Sequence, residues 1–403
     1  MTIKSLFKNI VLRVIIIIAL AIFIFLIIEL FIDRKEIGII HGQGIGFLSR
    51  LKRVTTLTAE KIKGYDLSLK EAMWYKKLAD GDVQCTLCPI NCIIPEGRRG
   101  KCRVRANIGG KLRALTYGKP AVVSIHPIEK ELFFHCLPGA CTVIVATVGC
   151  NLDCTFCQNW SLSQASPEQE THSNMSPQQL VEFTKQQGCK TIAFGLAEPV
   201  VFYEYMYETA KIAHAQGLKV LWKTGGYINP EPIRELSKYV DMVNIDIKGF
   251  TQDFYDEYCD GDLQAVLTAI KTAKEEMEWV EISYLVIPGA NDTPKEIRDA
   301  CRWIKQNLGE DTPLYFTRFI PNYKLADRPP TPYKTLKMAY DIAVEEGLKY
   351  VYIIIVPGNR YEDTYCPSCG KKIIDREGFW TKESHIKNGK CEYCGEKIWG
   401  LFK

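Results

Sequence analysis

Cys150, Cys154 and Cys157 form a Cys-x3-Cys-x2-Cys loop directly after the apolar run Cys141 to Val148. Thiolates are the usual ligands of iron–sulfur clusters, and a cubane cluster ordinarily takes four. Three from one loop leave one iron open to another ligand, as an open position does in catalytic metal centres. The competing reading is a structural zinc site completed by a distant residue. Two further sets frame this loop. Cys85, Cys88 and Cys92, with Cys102 after Gly100, can close a complete site, and their spacing leaves tetrahedral zinc and an auxiliary iron–sulfur cluster both open. Near the other end, Cys366-x2-Cys369-Gly370 and Cys391-x2-Cys394-Gly395 have the signature of a zinc ribbon, each Gly freeing backbone amides to turn toward sulfur.

The elements that must hold these residues follow from the apolar pattern. Strand-like runs occur at Thr142–Val148, Thr191–Gly195, Lys219–Lys223, Met242–Ile247, Val280–Ile287 and Leu314–Phe319. Helical patterns lie between or after them, at Ser176–Gln187, Phe202–Gln216, Pro294–Asn307 and Pro332–Glu346. Alternating βα units imply a parallel sheet with right-handed crossovers. The fold class is therefore α/β, an incomplete TIM-like (β/α)6 barrel with chemistry at the C-terminal strand ends, where the Cys150 loop also falls.

The chain has 403 residues and a formal charge of +4, too mild a balance for a nucleic-acid footprint over the whole surface. Most of its 16 cysteines sit in metal-like spacings rather than a disulfide framework, which implies a reducing compartment. Val14 to Ile32 is apolar except for Glu29 and would span about 28 Å as a helix, so it predicts a single N-terminal transmembrane helix. A slight excess of Lys and Arg follows the run. It places the catalytic body in the cytoplasm and makes the expected localisation a single-pass membrane protein. The expected domains are an anchor over 1–36, a glycine-rich joint with a basic juxtamembrane segment over 37–67, and a Cys-rich module over 68–125 that opens on a helix around Ser68 to Ala79. The partial barrel follows over 126–360 and the zinc-ribbon-like domain over 361–403.

From about residue 68 onward the chain resembles the AmmeMemoRadiSam group of radical S-adenosylmethionine (SAM) enzymes, which are related to the pyruvate formate-lyase activating enzymes. The resemblance rests on several blocks in order: Glu71-Ala72-x-Trp74-Tyr75, the Cys85 to Cys102 module, Pro127-Ile128-Glu129-Lys130 and Gly149 to Trp160. They continue with Asp246-Ile247-Lys248, Pro288-Gly289-x-Asn291-Asp292, Arg318 to Leu325, Gly358-Asn359 and the terminal knuckles. It implies that Cys150, Cys154 and Cys157 ligate a [4Fe–4S] cluster whose open iron chelates SAM, and that Phe156 packs near the adenine. Glu198 would accept hydrogen bonds from the SAM ammonium. Thr224 and Gly225 would pass close to the cofactor, and Asp246 and Lys248 would lie near SAM. For Glu198 and Asp246 a helix cap or a surface ion pair is the alternative. The chain departs from the group at Gly195-Leu196-Ala197-Glu198-Pro199-Val200, at Gly225 and at Ile320, and carries Cys136 and Cys141 where cysteine is unusual.

The resulting expectation is a radical SAM oxidoreductase that cleaves SAM reductively and takes hydrogen from an unidentified substrate. The anchor and an apolar pocket favour a membrane-associated or lipid molecule; a small molecule is also open, as is a glycine on a partner protein, as in glycyl-radical activating enzymes. A ferredoxin or flavodoxin would supply the electron. Arg318, ending the last strand, either clamps a substrate carboxylate or phosphate or forms an ion pair. The non-enzymatic alternatives are an iron–sulfur electron carrier and a zinc-ribbon nucleic-acid-binding protein. Acidic residues interleaved with the ribbon's lysines weigh against the second.

Overall fold

The computed structural model describes residues 56–356 and 358–402. These fall in one compact unit. Short strands build the Cys-rich module: β1 (Lys70–Glu71), β2 (Tyr75–Lys77), β3 (Val83–Cys85), β4 (Ile93–Ile94), β5 (Arg105–Asn107) and β6 (Leu112–Ala114). They pair as two antiparallel sheets, β1-β6-β5 and β2-β3-β4. The helix expected around Ser68 to Ala79 is absent, and two strands and a turn occupy that stretch. Trp74 has a φ of 59°, a left-handed backbone that no α-helix accommodates, and Tyr75 to Lys77 are drawn off to pair with Val83 to Cys85.

The main sheet contains β7 (Val122–Pro127), β8 (Cys141–Ala146), β9 (Thr191–Phe194), β10 (Lys219–Thr224), β11 (Met242–Ile247), β12 (Trp279–Val286), β13 (Leu314–Arg318) and β14 (Val351–Ile354). They lie side by side in chain order; β7 pairs antiparallel with β8 and every later pair is parallel. The six predicted runs are all strands, and β14 adds a parallel strand to them. Its four residues are all buried and show no alternation, so periodicity gave no signal. Disulfide Cys141–Cys189, which the reducing-compartment reading did not anticipate, ties the starts of β8 and β9.

Alternate residues face opposite ways, and this decides what the barrel encloses. Val143, Ile192, Val220 and Val243 belong to the large core beneath the helices, whereas Ile144, Ala193, Leu221 and Met242 pack on Ile128, Phe133 and Cys136. The segment between β7 and β8 therefore plugs the inside of the sheet. It is tied there by buried polar groups: Asn244 Nδ2 donates to Leu132 O at 2.7 Å, and Phe134 N donates to the Tyr315 hydroxyl at 2.9 Å.

The C-terminal ribbon consists of β15 (Thr364–Tyr365), β16 (Lys372–Glu377) and β17 (Trp380–Ser384), with the hairpin of β18 (Ile386–Lys387) and β19 (Lys390–Cys391). It docks on the plug. Leu137 N donates to Leu401 O at 2.8 Å, and His135 bridges Trp399 O and the Tyr352 hydroxyl at 2.7 and 2.6 Å.

No helix among the described residues is long and apolar enough to cross a membrane. The longest, Pro294–Leu308, has 15 residues and would rise about 22 Å, short of a hydrocarbon core of about 30 Å. The transmembrane helix expected over Val14 to Ile32 lies outside the described residues, as does the glycine-rich joint. Among the described residues the architecture is accordingly corrected to an α/β sheet with its two cysteine modules and no spanning helix, and the single-pass membrane localisation is withdrawn with it.

Arg376 tests how the ribbon is held. Its buried guanidinium donates to Phe134 O at 2.9 Å, Glu362 O at 3.1 Å and Thr364 Oγ1 at 2.7 Å. Arg376→Leu strands these acceptors and should lower stability to urea by about 3 kcal/mol, with protease attacking the C-terminal segment first. An unchanged midpoint would show that the apolar contacts alone dock the ribbon.

Candidate functional site

A cavity of about 300 Å³ opens where the strands of the main sheet end. The three cysteines of the loop line it together with Phe156, Glu198, Thr224, Gly225, Asp246 and Lys248. All nine positions singled out from the sequence for cluster and cofactor thus converge on one space. Leu285 of β12, Thr317 of β13 and Ile354 of β14 reach the same cavity, so the sheet curls around it.

The cysteine loop is fixed from three sides. Asp153 N and Thr155 N donate to the carbonyls of Cys259 and Tyr258 at 2.9 and 2.8 Å. Lys324 N donates to Thr155 O at 3.0 Å, and Tyr323 stacks on Trp160 with ring centroids 5.3 Å apart. Phe156 is buried against Phe254. Burial raises the Cys150 and Cys157 thiols, and Cys154 is raised first by its contact with the Cys259 thiol and then by burial. Grouped thiols in so dry a place ionise only with a cation among them, which is the environment a metal cluster requires.

Opposite the cysteines, Glu198 caps the short helix Pro199–Phe202 through Val200 N at 3.0 Å. It also accepts from Thr224 Oγ1 at 2.6 Å and Gly225 N at 2.8 Å. Burial outweighs these bonds and lifts its carboxyl above the usual range. The cap and the cavity-facing role therefore coexist in one side chain. Asp246 receives Lys248 Nζ at 2.6 Å on one oxygen and Lys223 Nζ on the other. Burial alone would raise Asp246, but the two lysines prevail and hold it well below the carboxylate range. Lys223 also donates to Asn244 Oδ1 at 2.6 Å and Ser283 Oγ at 2.7 Å.

Lys130, Glu131, Lys223 and Phe379 line the cavity without having been assigned a site role from the sequence, Lys130 having entered only as part of the Pro127 to Lys130 block. Lys223 lies two residues beyond the inward-facing Leu221, in register with Asn244 of β11, a parity that the strand pairing reveals. Phe379 gave no signal, since it arrives from the turn between β16 and β17. Arg318 is not among the lining residues; its Nε donates to Thr331 O at 3.0 Å.

The other cysteine sets lie apart. Cys85, Cys88, Cys92 and Cys102 line a separate small cavity. In the ribbon, Cys366, Cys369, Cys391 and Cys394 place their sulfurs within 4.8 Å of one another. The Cys366–Cys394 and Cys369–Cys391 separations are 3.6 and 3.9 Å. Gly370 and Gly395, both at positive φ, donate their amides to Cys366 O and Cys391 O at 2.9 Å, closing the two knuckles. This set could hold one metal ion.

Residues 144–304 match the radical SAM superfamily. The chain is 45% identical over 332 residues to an uncharacterized protein of Methanocaldococcus jannaschii, covering 82% of this chain and 99% of that one. A second uncharacterized protein of that organism is 24% identical over 284 residues, 66% of this chain and 76% of the other. Similar solved structures include a domain of pyruvate-formate lyase-activating enzyme from Bacteroides vulgatus, with 18% identity, 40% and 96% coverage and a TM-score of 0.35. A radical SAM methyltransferase from Sphaerobacter thermophilus shows 16% identity, 54% and 66% coverage and a TM-score of 0.43.

Glu131 gives the site a pH signature. Burial pushes its carboxyl up to about 7 from an ordinary 4.5. Between those values the folded chain keeps a proton that the unfolded chain has released, so this group's contribution is full at low pH and is lost as pH rises through the window. Glu131→Gln removes the effect. The stability difference between wild type and variant, from urea titrations, should fall by on the order of 3 kcal/mol from pH 4.5 to 7. Parallel profiles would contradict the assignment.

Proposed function

The chain belongs to the radical SAM superfamily, whose cofactors are a [4Fe–4S] cluster and SAM, and from that membership we propose a radical-generating oxidoreductase. It cleaves SAM reductively and takes a hydrogen atom from a C–H bond of a small molecule or of a glycine on a partner protein. The observation that carries this reading is the convergence of the three-cysteine loop, Glu198 and the Asp246–Lys248 pair on one cavity. When bound, the cluster and SAM supply an electron to the sulfonium and a carbon radical for hydrogen abstraction.

The chain's own residues do the positioning. Cys150, Cys154 and Cys157 would hold the cluster, leaving one iron for SAM. Glu198, with its acceptor oxygens already set by Val200, Thr224 and Gly225, suits a cationic ammonium, a charge-assisted contact. Asp246 and Lys248 keep a fixed polar wall, and Phe156 offers an apolar face for the adenine. Leu196, Ala197, Leu285, Ile354 and Phe379 add apolar surface to the cavity that limits water around a reactive radical. A one-electron protein donor of the ferredoxin or flavodoxin type is the partner this chemistry needs.

For the ribbon we propose one structural zinc. Tetrahedral zinc with Zn–S bonds near 2.3 Å sets sulfurs about 3.8 Å apart. The observed 3.6 and 3.9 Å bracket that value.

Anaerobic reconstitution with iron and sulfide, then dithionite and SAM, should yield 5′-deoxyadenosine. Changing any one of Cys150, Cys154 or Cys157 to Ala should abolish it. Undiminished product from a cysteine variant would remove the loop from the mechanism. Glu198→Gln keeps the shape and loses the charge; equilibrium dialysis should show SAM bound about tenfold more weakly. Unaltered affinity would free Glu198 from that role. Cys369→Ser with Cys394→Ser should lose about one zinc per chain by elemental analysis and loosen the ribbon to protease, whereas retained zinc would place the ion elsewhere.

A further inference from the structure

We infer that Cys85, Cys88, Cys92 and Cys102 hold a second iron–sulfur cluster of the [4Fe–4S] type, rather than zinc, seated against the back of the SAM-site loop. Their spacing leaves the choice of metal open, but their placement does not. The four thiols surround one enclosed cavity of about 20 Å³, walled by apolar side chains such as Ile94, Val200 and Val201. Space of that size excludes an organic ligand.

The distinction from zinc is one of distance. Four thiolates closed on zinc at about 2.3 Å leave no room for even a water-sized sphere at their centre. In the ribbon that closure is met. Among the described residues, its four cysteines are the set whose sulfurs all approach within 4.8 Å. The four of the N-terminal module do not close in this way, and neither do Cys150, Cys154 and Cys157, the proposed cluster ligands. A cubane holds its cysteines farther apart, one on each iron, a geometry open to a set whose sulfurs do not close to 4.8 Å.

Donors are in place around these sulfurs, as clusters require. Arg105 is fully buried, pairs with Glu204 and brings Nη1 to 3.9 Å from Cys85 Sγ. The Asn151 side chain reaches Cys88, and its Nδ2 donates to Tyr227 O at 2.6 Å. Asn151 follows Cys150 directly, so one residue of chain links the wall of this cavity to a ligand of the other. Gly149, on the other side of Cys150, has a φ of +89°, and a Cβ there would lie 2.5 Å from Cys102 O. Only glycine lets the two cysteine-bearing backbones touch. The module therefore places a one-electron centre beside the radical-generating one.

The site stands whether or not the loop has the role proposed for it, and its test keeps the two apart. The full chain carrying Cys150→Ala, Cys154→Ala and Cys157→Ala together is reconstituted anaerobically and examined for iron, acid-labile sulfide, zinc and Mössbauer spectrum. It should hold roughly four irons and four sulfides in a [4Fe–4S] signal, against roughly eight irons in the wild type. The converse variant, Cys88→Ser with Cys102→Ser, should drop from roughly eight irons to roughly four while keeping the loop's cluster. Two zincs per chain with no iron–sulfur signal in the loop variant would overturn the inference, as would full iron content in the converse one.

Discussion

Asp246 is the constraint around which the mouth of the sheet is arranged. A carboxylate at the end of a buried strand is tolerable only if it is paired, and here it is paired twice, with Lys248 two residues on and with Lys223 on the neighbouring strand. An ion withdrawn from water pays a penalty of several kcal/mol that only close opposite charge and filled hydrogen bonds offset. The parallel register of β10 and β11, with Lys223 opposite Asn244, meets that condition. Ser283 of β12 completes the set around the Lys223 ammonium. Three adjacent strands are thereby locked in register at the end where the cysteine loop arrives.

The other end of the barrel is closed by the plug between β7 and β8. It brings Glu131 and Lys130 up from below the cavity while Phe133 fills the apolar interior. The ribbon is fastened to the same plug through Arg376 and His135, and its Phe379 reaches the cavity. The C-terminal module thus contributes a wall to the site rather than an appended tail. The N-terminal module packs against the back of the cysteine loop, at Gly149 and Asn151, without lining the cavity. The proposed metal sites share one scaffold, and each bears on the position of the central loop.

What could be read from the sequence followed range in the chain. The cysteine loop, the knuckles and six strands are local patterns of spacing and apolarity, and all appear as strands, turns or grouped thiols. Asp246 and Lys248 were found as a contiguous block. Lys223 needed the inward-facing parity of β10, which becomes visible only when its register with β11 is known. Glu131 and Phe379 depend on a plug and a turn that pack from far away. The helix expected at Ser68 to Ala79 failed because strand pairing with a later segment overrode local propensity. The membrane assignment rested on a run outside the described residues, and no described helix replaces it.

In the mechanism proposed here SAM docks on an iron left open by the Cys150 loop, with its ammonium facing Glu198. Pulsed electron paramagnetic resonance of the reduced cluster with SAM labelled at its amino nitrogen tests this most directly. A hyperfine coupling from that nitrogen to the cluster is expected, abolished when SAM is withheld. A cluster spectrum indifferent to labelled SAM, at concentrations where dialysis shows SAM bound, would contradict it.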